Sequence, residues 1–532
     1  MRAVPRLHLP IRPRPVSGPQ DQASSRSAPD VATPLEASAP VAGGASSGTG
    51  QPSGTGQPAG AVPLVPALWL RLAIAVAVGV AIWFVPAPDG VKPAAMHLLA
   101  IFAATIVGII VKPLPMGAVA LIGIAATGLT NTLTPEKALS GFGNSTIWLI
   151  VIAFFIARGF IKTGLGQRIA YLFVSRFGKR TLGLSYGLVA TDLVMAPAIP
   201  SNTARAGGVI FPILRSLSTT YGSEPNSPSS RKVGSFLTAV SFHANAVTSA
   251  MFVTAMAANP LAVELAKSQH VDISWGRWAL AALVPGLVSL IVIPWLLYKV
   301  YPPELKETPQ AAEDARVRLA EMGSMSAAEK VMLGAFVVLL GLWTLGDQLL
   351  GINSTVAALV GLAILLVAGV LTWDDIKREQ NAWDTLIWFA ALVMMATQLT
   401  ALGLIPWASK QMSGVVSGWG WIPAFVVLSL AYFYAHYFFA SNTAHVSAMY
   451  AAFLGTAIVA GAPPLLAALV LGFVSSLFGC LTPYACGPAP VLFGGGYVSL
   501  GAWWRLGALV SVVNIAIWIV VGGAWMKLLG IW

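Results

Sequence analysis

The tripeptide Ser-Asn-Thr stands twice in this chain, at Ser201-Asn202-Thr203 and Ser441-Asn442-Thr443, each time inside a long apolar segment. Polar side chains are costly in such surroundings unless they have something to bind. The copies lie 240 residues apart, and neighbouring residues repeat with them. Ile147-Trp148 returns as Ile387-Trp388, Gly164-Leu165 as Gly403-Leu404, Ala120-Leu121-Ile122-Gly123 as Ala358-Leu359-Val360-Gly361, and Leu133-Thr134 as Leu371-Thr372. This pattern predicts a duplicated membrane unit with one polar triplet per copy, the arrangement expected where a transport site lies between two repeats.

Composition fixes the class. With 56% hydrophobic and only 10% charged residues, the chain lacks the charge to keep a globular surface in water, so it reads as an all-α polytopic membrane protein. Residues 1–66 are different, being rich in Pro, Ser, Gly and Ala without apolar periodicity, and read as a disordered tail. Arg2, Arg6, Arg12, Arg14 and Arg26 raise the alternative of an organelle transit peptide, against which Asp21, Asp30 and Glu36 argue; a cytoplasmic tail is expected. The net charge of +11 sits in short runs beside apolar spans, which fits membrane topology and not nucleic-acid binding. Cys480 and Cys486 cannot build a disulfide framework or a metal-ligand set.

Apolar runs divide the chain into a first transmembrane helix at 67–93, a membrane repeat at 94–300, a charged cytoplasmic linker at 301–330 and a second repeat at 331–532. Each repeat contains a segment broken by Pro, Gly and the polar triplet, at 183–217 and 421–460. Such a segment is more economically a re-entrant hairpin than a single span, because non-helical backbone at membrane depth must line a cavity or be buried in protein. About eleven transmembrane helices plus two hairpins result. An odd number of crossings per repeat inverts the second copy, so the two hairpin tips approach the midplane from opposite sides. With the N-terminus inside, the clusters around Arg168–Arg180, Arg231-Lys232, Lys306–Lys330 and Lys377-Arg378 all face the cytoplasm, which the positive-inside rule favours.

A Ser-Asn-Thr tip offers hydroxyls, an amide and free backbone N–H groups at a helix start, a set suited to a carboxylate. Two opposed tips suit the two ends of a dicarboxylate. After each triplet comes a second polar stretch, from His243-Ala244-Asn245 through Ser249 and Thr254 to Asn259-Pro260, and from Gly479 through Thr482-Pro483 to Gly487-Pro488. Both are expected to be unwound, with free carbonyls facing the tips. Arg205 and His445 stand two residues after their triplets, where a cation at a helix start and at membrane depth is disfavoured without an anion nearby. Two readings stay open: that Arg205 and His445 lend fixed positive charge to an anion site, or that Arg205 pairs with Asp192 and His445 bonds a carbonyl. His436, Asp384 and Arg158 read as helix-end or interhelical partners. No Walker, zincin or nucleophile-elbow motif occurs, so neither ATP drive nor an enzyme is expected.

The stretches PAIPSNTARAGG (Pro197 to Gly208), TAMAANPL (Thr254 to Leu261) and HYFFASNTAH (His436 to His445) together resemble the divalent anion:sodium symporter family, over about Ala67 to Trp532. Within it the likeness is greatest to the branch of the 2-oxoglutarate/malate translocators and the citrate/succinate and tartrate/succinate antiporters. The resemblance implies an eleven-span fold, a dimerising scaffold domain, and a transport domain that moves like an elevator. It also implies that Ser201, Asn202, Thr203, Ser441, Asn442 and Thr443 contact substrate carboxylates and flank cation sites, with sodium near Asn202 and Asn442 left open. The plastid members do not keep both triplets intact, a departure that leans toward a bacterial cytoplasmic membrane, with the plastid inner envelope as the alternative.

The expectation is therefore a secondary transporter of di- or tricarboxylates of the 2-oxoglutarate, malate and succinate class, working by exchange as a homodimer in the bilayer. Its substrate-binding residues are the two triplets with Arg205, His445, Thr254, Thr482 and Pro483. Sodium-coupled symport is the main alternative, and an intramembrane enzyme or ion channel a distant one. The orientation has a direct check: in a background lacking Cys480 and Cys486, Ser324→Cys should react with a membrane-impermeant maleimide only after permeabilisation. Labelling in intact cells would reverse the assigned topology.

Overall fold

The computed structural model describes residues 66–414 and 418–532; the tail read at 1–66 lies outside them save for its last residue. Among the described residues there is no β-strand, only an isolated bridge between Arg180 and Glu307. The protein is an all-helical, multi-pass membrane chain. Seven helical stretches are long and apolar enough to cross a membrane, at Pro93–Val111, Ser145–Thr163, Trp275–Val300, Ala327–Gly346, Gln380–Ala401, Trp421–Phe438 and Leu500–Leu528, and shorter apolar helices accompany them.

After α1 (Pro66–Trp83) and α2 (Pro93–Val111), the first repeat continues through α3 (Met116–Leu129), α4 (Ser145–Thr163), α5 (Leu165–Phe177) and α6 (Thr181–Met195). The helical path then breaks, resumes as a π-helical turn at Ala204–Ile210, and passes into α7 (Phe211–Thr220), α8 (Gly234–Met251), α9 (Ala258–Lys267) and α10 (Trp275–Val300). The linker contributes α11 (Pro309–Glu321), and α12 (Ala327–Gly341) opens the next part. The second repeat follows with α13 (Ser354–Val367), α14 (Gln380–Ala401), α15 (Leu404–Ser413) and α16 (Trp421–Tyr434). Beyond its own break lie a turn at Asn442–His445, a π-helical turn at Val446–Tyr450, and α17 (Ala451–Val459). Helices α18 (Pro464–Leu477), α19 (Pro488–Gly494) and α20 (Leu500–Ala516) follow, and a π-helical turn at Ile517–Val521 leads into a last helix, α21 (Gly522–Leu528).

The duplication read from identities extends to helix limits. Helix α3 starts 238 residues before α13, α5 239 before α15, and α6 240 before α16. Beyond the triplets the offset falls to 230, so that α8 corresponds to α18 and α9 to α19. A shorter connection before α18 accounts for the change. The two breaks are also alike in being followed by π-helical turns, an uncommon geometry that recurs at functional sites.

One expectation needs correction. The stretch from His243 to Asn259 is not unwound throughout: His243, Asn245 and Ser249 lie in the continuous helix α8, and only residues 252–257 leave it before α9 begins. Pro260 falls in the first turn of α9, where a missing N–H costs no intrahelical bond, so it marks a helix start. Helix α8 is buried at every residue, its serine, threonine, asparagine and histidine side chains included.

A buried ion pair fastens the linker to the first repeat. Arg168 on α5 reaches Glu329, with Nε to Oε1 at 2.6 Å, and donates to the carbonyls of Gly323 and Met322 as well. Glu329 also completes a capping box with Ser326 at the start of α12. Removing one member leaves the other buried and uncompensated, which costs roughly 3–5 kcal/mol. Arg168→Ala should therefore lower the thermal midpoint of the purified protein markedly, whereas Arg168→Met combined with Glu329→Leu should recover most of the loss. Equal midpoints for single and double variants would remove the pair from any structural role.

Candidate functional site

Each triplet caps the helix that follows its break. Ser201 Oγ accepts from the Ala204 N–H at 3.1 Å, and Ser441 Oγ accepts from the Ala444 N–H at 3.3 Å. This is side-chain N-capping in the same register twice. It leaves the serine hydroxyl hydrogens free, and the Thr203 and Thr443 hydroxyls enter no hydrogen bond among the described residues. The tips are half-buried, except that Asn442 is buried. Asn202 Oδ1 accepts from the Thr203 N–H, whereas Asn442 donates through Nδ2 to the Ser475 carbonyl and keeps a buried Oδ1 without a partner.

One irregular segment touches both tips. At one end, Gly479 packs on Asn442, where a Cβ would come within 3.2 Å of Nδ2; at the other, a Cβ on Gly487 would overlap Thr203 Oγ1. Side chains at these two positions would push the tips away. Thr482 and Pro483 lie on this bridge, Thr482 buried and Pro483 half-buried, and the Thr482 hydroxyl accepts from the Tyr484 N–H at 3.4 Å. Cys486, read as a packing residue, is buried and donates to the Gly479 carbonyl. Thr254 is more remote. Its hydroxyl donates to the Pro197 carbonyl at 2.8 Å and accepts from Trp275 Nε1 at 3.0 Å, so it anchors the approach to the first tip.

Of the two readings of Arg205, the pairing with Asp192 is the arrangement present. Arg205 is fully buried, and its Nε lies 2.9 Å from Asp192 Oδ1. One terminal nitrogen donates to the carbonyls of Ile199, at 2.7 Å, and Ala255, at 2.6 Å, while the other reaches Ser249 Oγ at 3.1 Å. Asp192 is completed by Asn245 and Thr248. The guanidinium thus ties together the two interrupted backbones of the first repeat, before its tip and after α8.

His445 does the corresponding work through an intermediary. Its Nδ1 lies 3.0 Å from His436 Nδ1, and His436 Nε2 lies 2.9 Å from the Ala485 carbonyl. A carbonyl can only accept, so His436 carries its hydrogen on Nε2, and its Nδ1 accepts from His445 Nδ1–H. His445 Nε2 is then a buried lone pair without a partner. Tyr432, Phe439 and Phe478 pack around the His445 ring. Ser475, Tyr432 and Ser476 were not singled out by the sequence; serine and tyrosine in apolar helices carry no signal until their partners are known.

A cavity of about 620 Å³ adjoins the first tip, lined by Ser201, Thr203 and Ala204 on one side and by α3, α4 and the start of α14 on the other. Arg158, Glu379 and Asp384 lie on its wall. Arg158 and Asp384 were expected to be helix-end or interhelical partners; Asp384 lies in the first turns of α14, and neither forms an ion pair among the described residues.

Known proteins resemble this chain along most of its length. YflS of Bacillus subtilis, whose name assigns it malate transport provisionally, is 59% identical over 473 residues, covering 89% of this chain and 98% of its own. Dicarboxylate transporter 1 of Arabidopsis thaliana chloroplasts is 51% identical, covering 88% of this chain and 86% of its own. The L-tartrate/succinate antiporter of Shigella sonnei is 37% identical, covering 86% and 98%. The solved Alcanivorax borkumensis YdaH transporter shares the fold, with a TM-score of 0.53 at 13% identity over 87% of this chain and 97% of that one. Residues 66–532 match the sodium:sulfate symporter transmembrane region, and the chain belongs to that family, the divalent anion:sodium symporters.

Proposed function

We propose that this protein is a secondary transporter that exchanges dicarboxylates across its membrane by alternating access. The observation that carries the reading is the pair of Ser-Asn-Thr tips, capped in the same register, with unengaged hydroxyls at both and a single glycine-bearing segment lying against the two. Hydroxyl donors and helix starts favour carboxylates, and a duplicated set suits a ligand with two of them. The dicarboxylate names of the chloroplast and Shigella relatives agree with that chemistry. Homodimerisation, the elevator motion and a bacterial cytoplasmic membrane with the N-terminus inside belong to the same proposal.

Exchange is preferred to sodium coupling because of what Arg205 does. In the first repeat the Ile199 and Ala255 carbonyls, oxygens of the kind a sodium ion takes as ligands, already accept from a fixed guanidinium. With those two carbonyls engaged, they are not free to ligate a co-transported cation. Sodium symport keeps one observation in its favour, the buried and unpartnered Asn442 Oδ1 in the second repeat. The two readings separate in proteoliposomes. Labelled 2-oxoglutarate should enter vesicles preloaded with malate, and enter equally without sodium; sodium-dependent entry into empty vesicles would reject exchange.

Arg205 acts on the site through the backbone it holds. Arg205→Ala should abolish exchange and lower stability together, because Asp192 stays buried without its cation, a loss of roughly 3–5 kcal/mol. Arg205→Ala with Asp192→Ala should regain thermal stability without regaining transport. Full transport by that double variant would show that the guanidinium has no part in forming the site.

A further inference from the structure

The cavity beside the first tip carries an unexpected set of charges for an anion path. Arg158 projects from α4, Asp384 from the first turns of α14, and Glu379 immediately precedes that helix. Arg158 and Asp384 are exposed and Glu379 is half-buried. None of them is ion-paired among the described residues, although one cation and two carboxylates share the wall. Among the described residues the Glu379 carboxylate accepts only from Asn381 Nδ2, at 3.1 Å. Asp384 Oδ1 lies over Gly117 of α3, 3.6 Å from where a Cβ would stand, with no donor on it.

A ligand entering this space meets one site that attracts a carboxylate and two that repel it. On entry, before it reaches the second tip, a dianion can pair one carboxylate with Arg158 and turn the other toward the Ser201 and Thr203 hydroxyls, which line the same cavity. A third carboxylate has no cation left on the wall and faces Glu379 and Asp384. Repulsive groups of this kind discriminate between ligands without adding affinity for the preferred one.

We propose that Glu379 and Asp384 set the charge limit of the substrate, admitting dicarboxylates and rejecting tricarboxylates, with Arg158 as the receptor for one carboxylate. The inference rests on the transport reading above and names the substrate class that the same site selects.

Glutarate and tricarballylate test it, since they share a five-carbon chain and differ by one carboxylate on the central carbon. 3-Methylglutarate fills that position without charge. In exchange assays, wild-type protein should favour 3-methylglutarate over tricarballylate by about tenfold, and Glu379→Gln with Asp384→Asn should narrow that gap by at least about threefold, the scale of a few ångströms' separation at high effective dielectric. Glu379→Asp with Asp384→Glu should keep the gap. Arg158→Ala should weaken competition by glutarate, and Arg158→Lys should restore most of it. A gap left unchanged by neutralisation overturns the proposal, as does rejection of 3-methylglutarate as strong as that of tricarballylate, which would make size the cause. If the neutral variants do not fold, the wild type alone decides: 3-carbamoylglutarate, the amide of the central carboxyl, should compete at least about threefold better than tricarballylate, and equal competition overturns the charge argument. Failure of wild-type protein to exchange any dicarboxylate has a separate signature and overturns the transport reading with this inference.

Discussion

Where a helix breaks inside a membrane, the carbonyls it releases need donors, and no water is at hand to supply them. In the first repeat Thr254 serves the Pro197 carbonyl and Asn259 those of Ser249 and Phe252, and one further side chain serves both sides of the site. Arg205 donates to Ile199 ahead of the tip and to Ala255 beyond α8, and is itself held by Asp192 and Ser249. In the second repeat the equivalent alanine, Ala485, is 230 residues further on, the same offset that relates α9 to α19. Its carbonyl is met from the equivalent post-triplet position, His445, with His436 as relay. The equivalence continues outward. Asp192 corresponds to Tyr432, and Asn245, which donates to Asp192, corresponds to Ser475, which shares a hydrogen bond with the Tyr432 hydroxyl. Two networks of unlike residues hold one backbone geometry.

The unlike chemistry has consequences. A buried guanidinium–carboxylate pair gains little net stability once desolvation is counted, and breaking it is costly. Its value lies in fixing where the carbonyls point. The imidazole and phenol version carries no formal charge in its neutral form, and it leaves two polar atoms open, Asn442 Oδ1 and His445 Nε2. The first repeat is therefore electrostatically closed, whereas the second retains acceptors at its tip. A duplicated site with one closed half and one open half explains why the triplets alone cannot decide between sodium coupling and exchange.

Much of the helical order was legible from the sequence because hydrophobic run length and residue identities at fixed offset both report it directly. The triplets and the post-triplet residues were legible for the same reason, since duplication makes a polar residue conspicuous. The extent of unwinding was not. His243, Asn245 and Ser249 look like loop residues, but their polar groups belong to a helix buried on every side, and only tertiary packing distinguishes the two cases. Nor could spacing choose between the readings of Arg205, because Asp192 is 13 residues away, beyond the reach of one helical face, and is brought alongside only by the break between them. The open pair of carboxylates on the cavity wall was hidden in another way. Glu379 sits beside Lys377 and Arg378, where sequence alone reads a topology signal.

The contacts around the tips also restrict how they can move. Gly487 lies on Thr203 across the two repeats and Gly479 on Asn442 within the second, while Ser476 Oγ donates to Asn259 Oδ1 at 2.9 Å and Gln269 Nε2 to the Ala451 carbonyl at 2.7 Å, both again across the repeats. Opening the site by parting one tip from the other would break this set at once. Carrying both tips together past α3, α4 and α14 would break none of it, and would only change what the 620 Å³ cavity adjoins. The elevator displacement implied by the family resemblance is of the second kind. Under the proposed elevator motion the tips would travel with the ligand, while Arg158, Glu379 and Asp384 would stay on the wall and act only on what is entering. The proposed selection by charge at that wall would precede binding, and so would limit which anions reach the tips without weakening the hold of the tips on those that do.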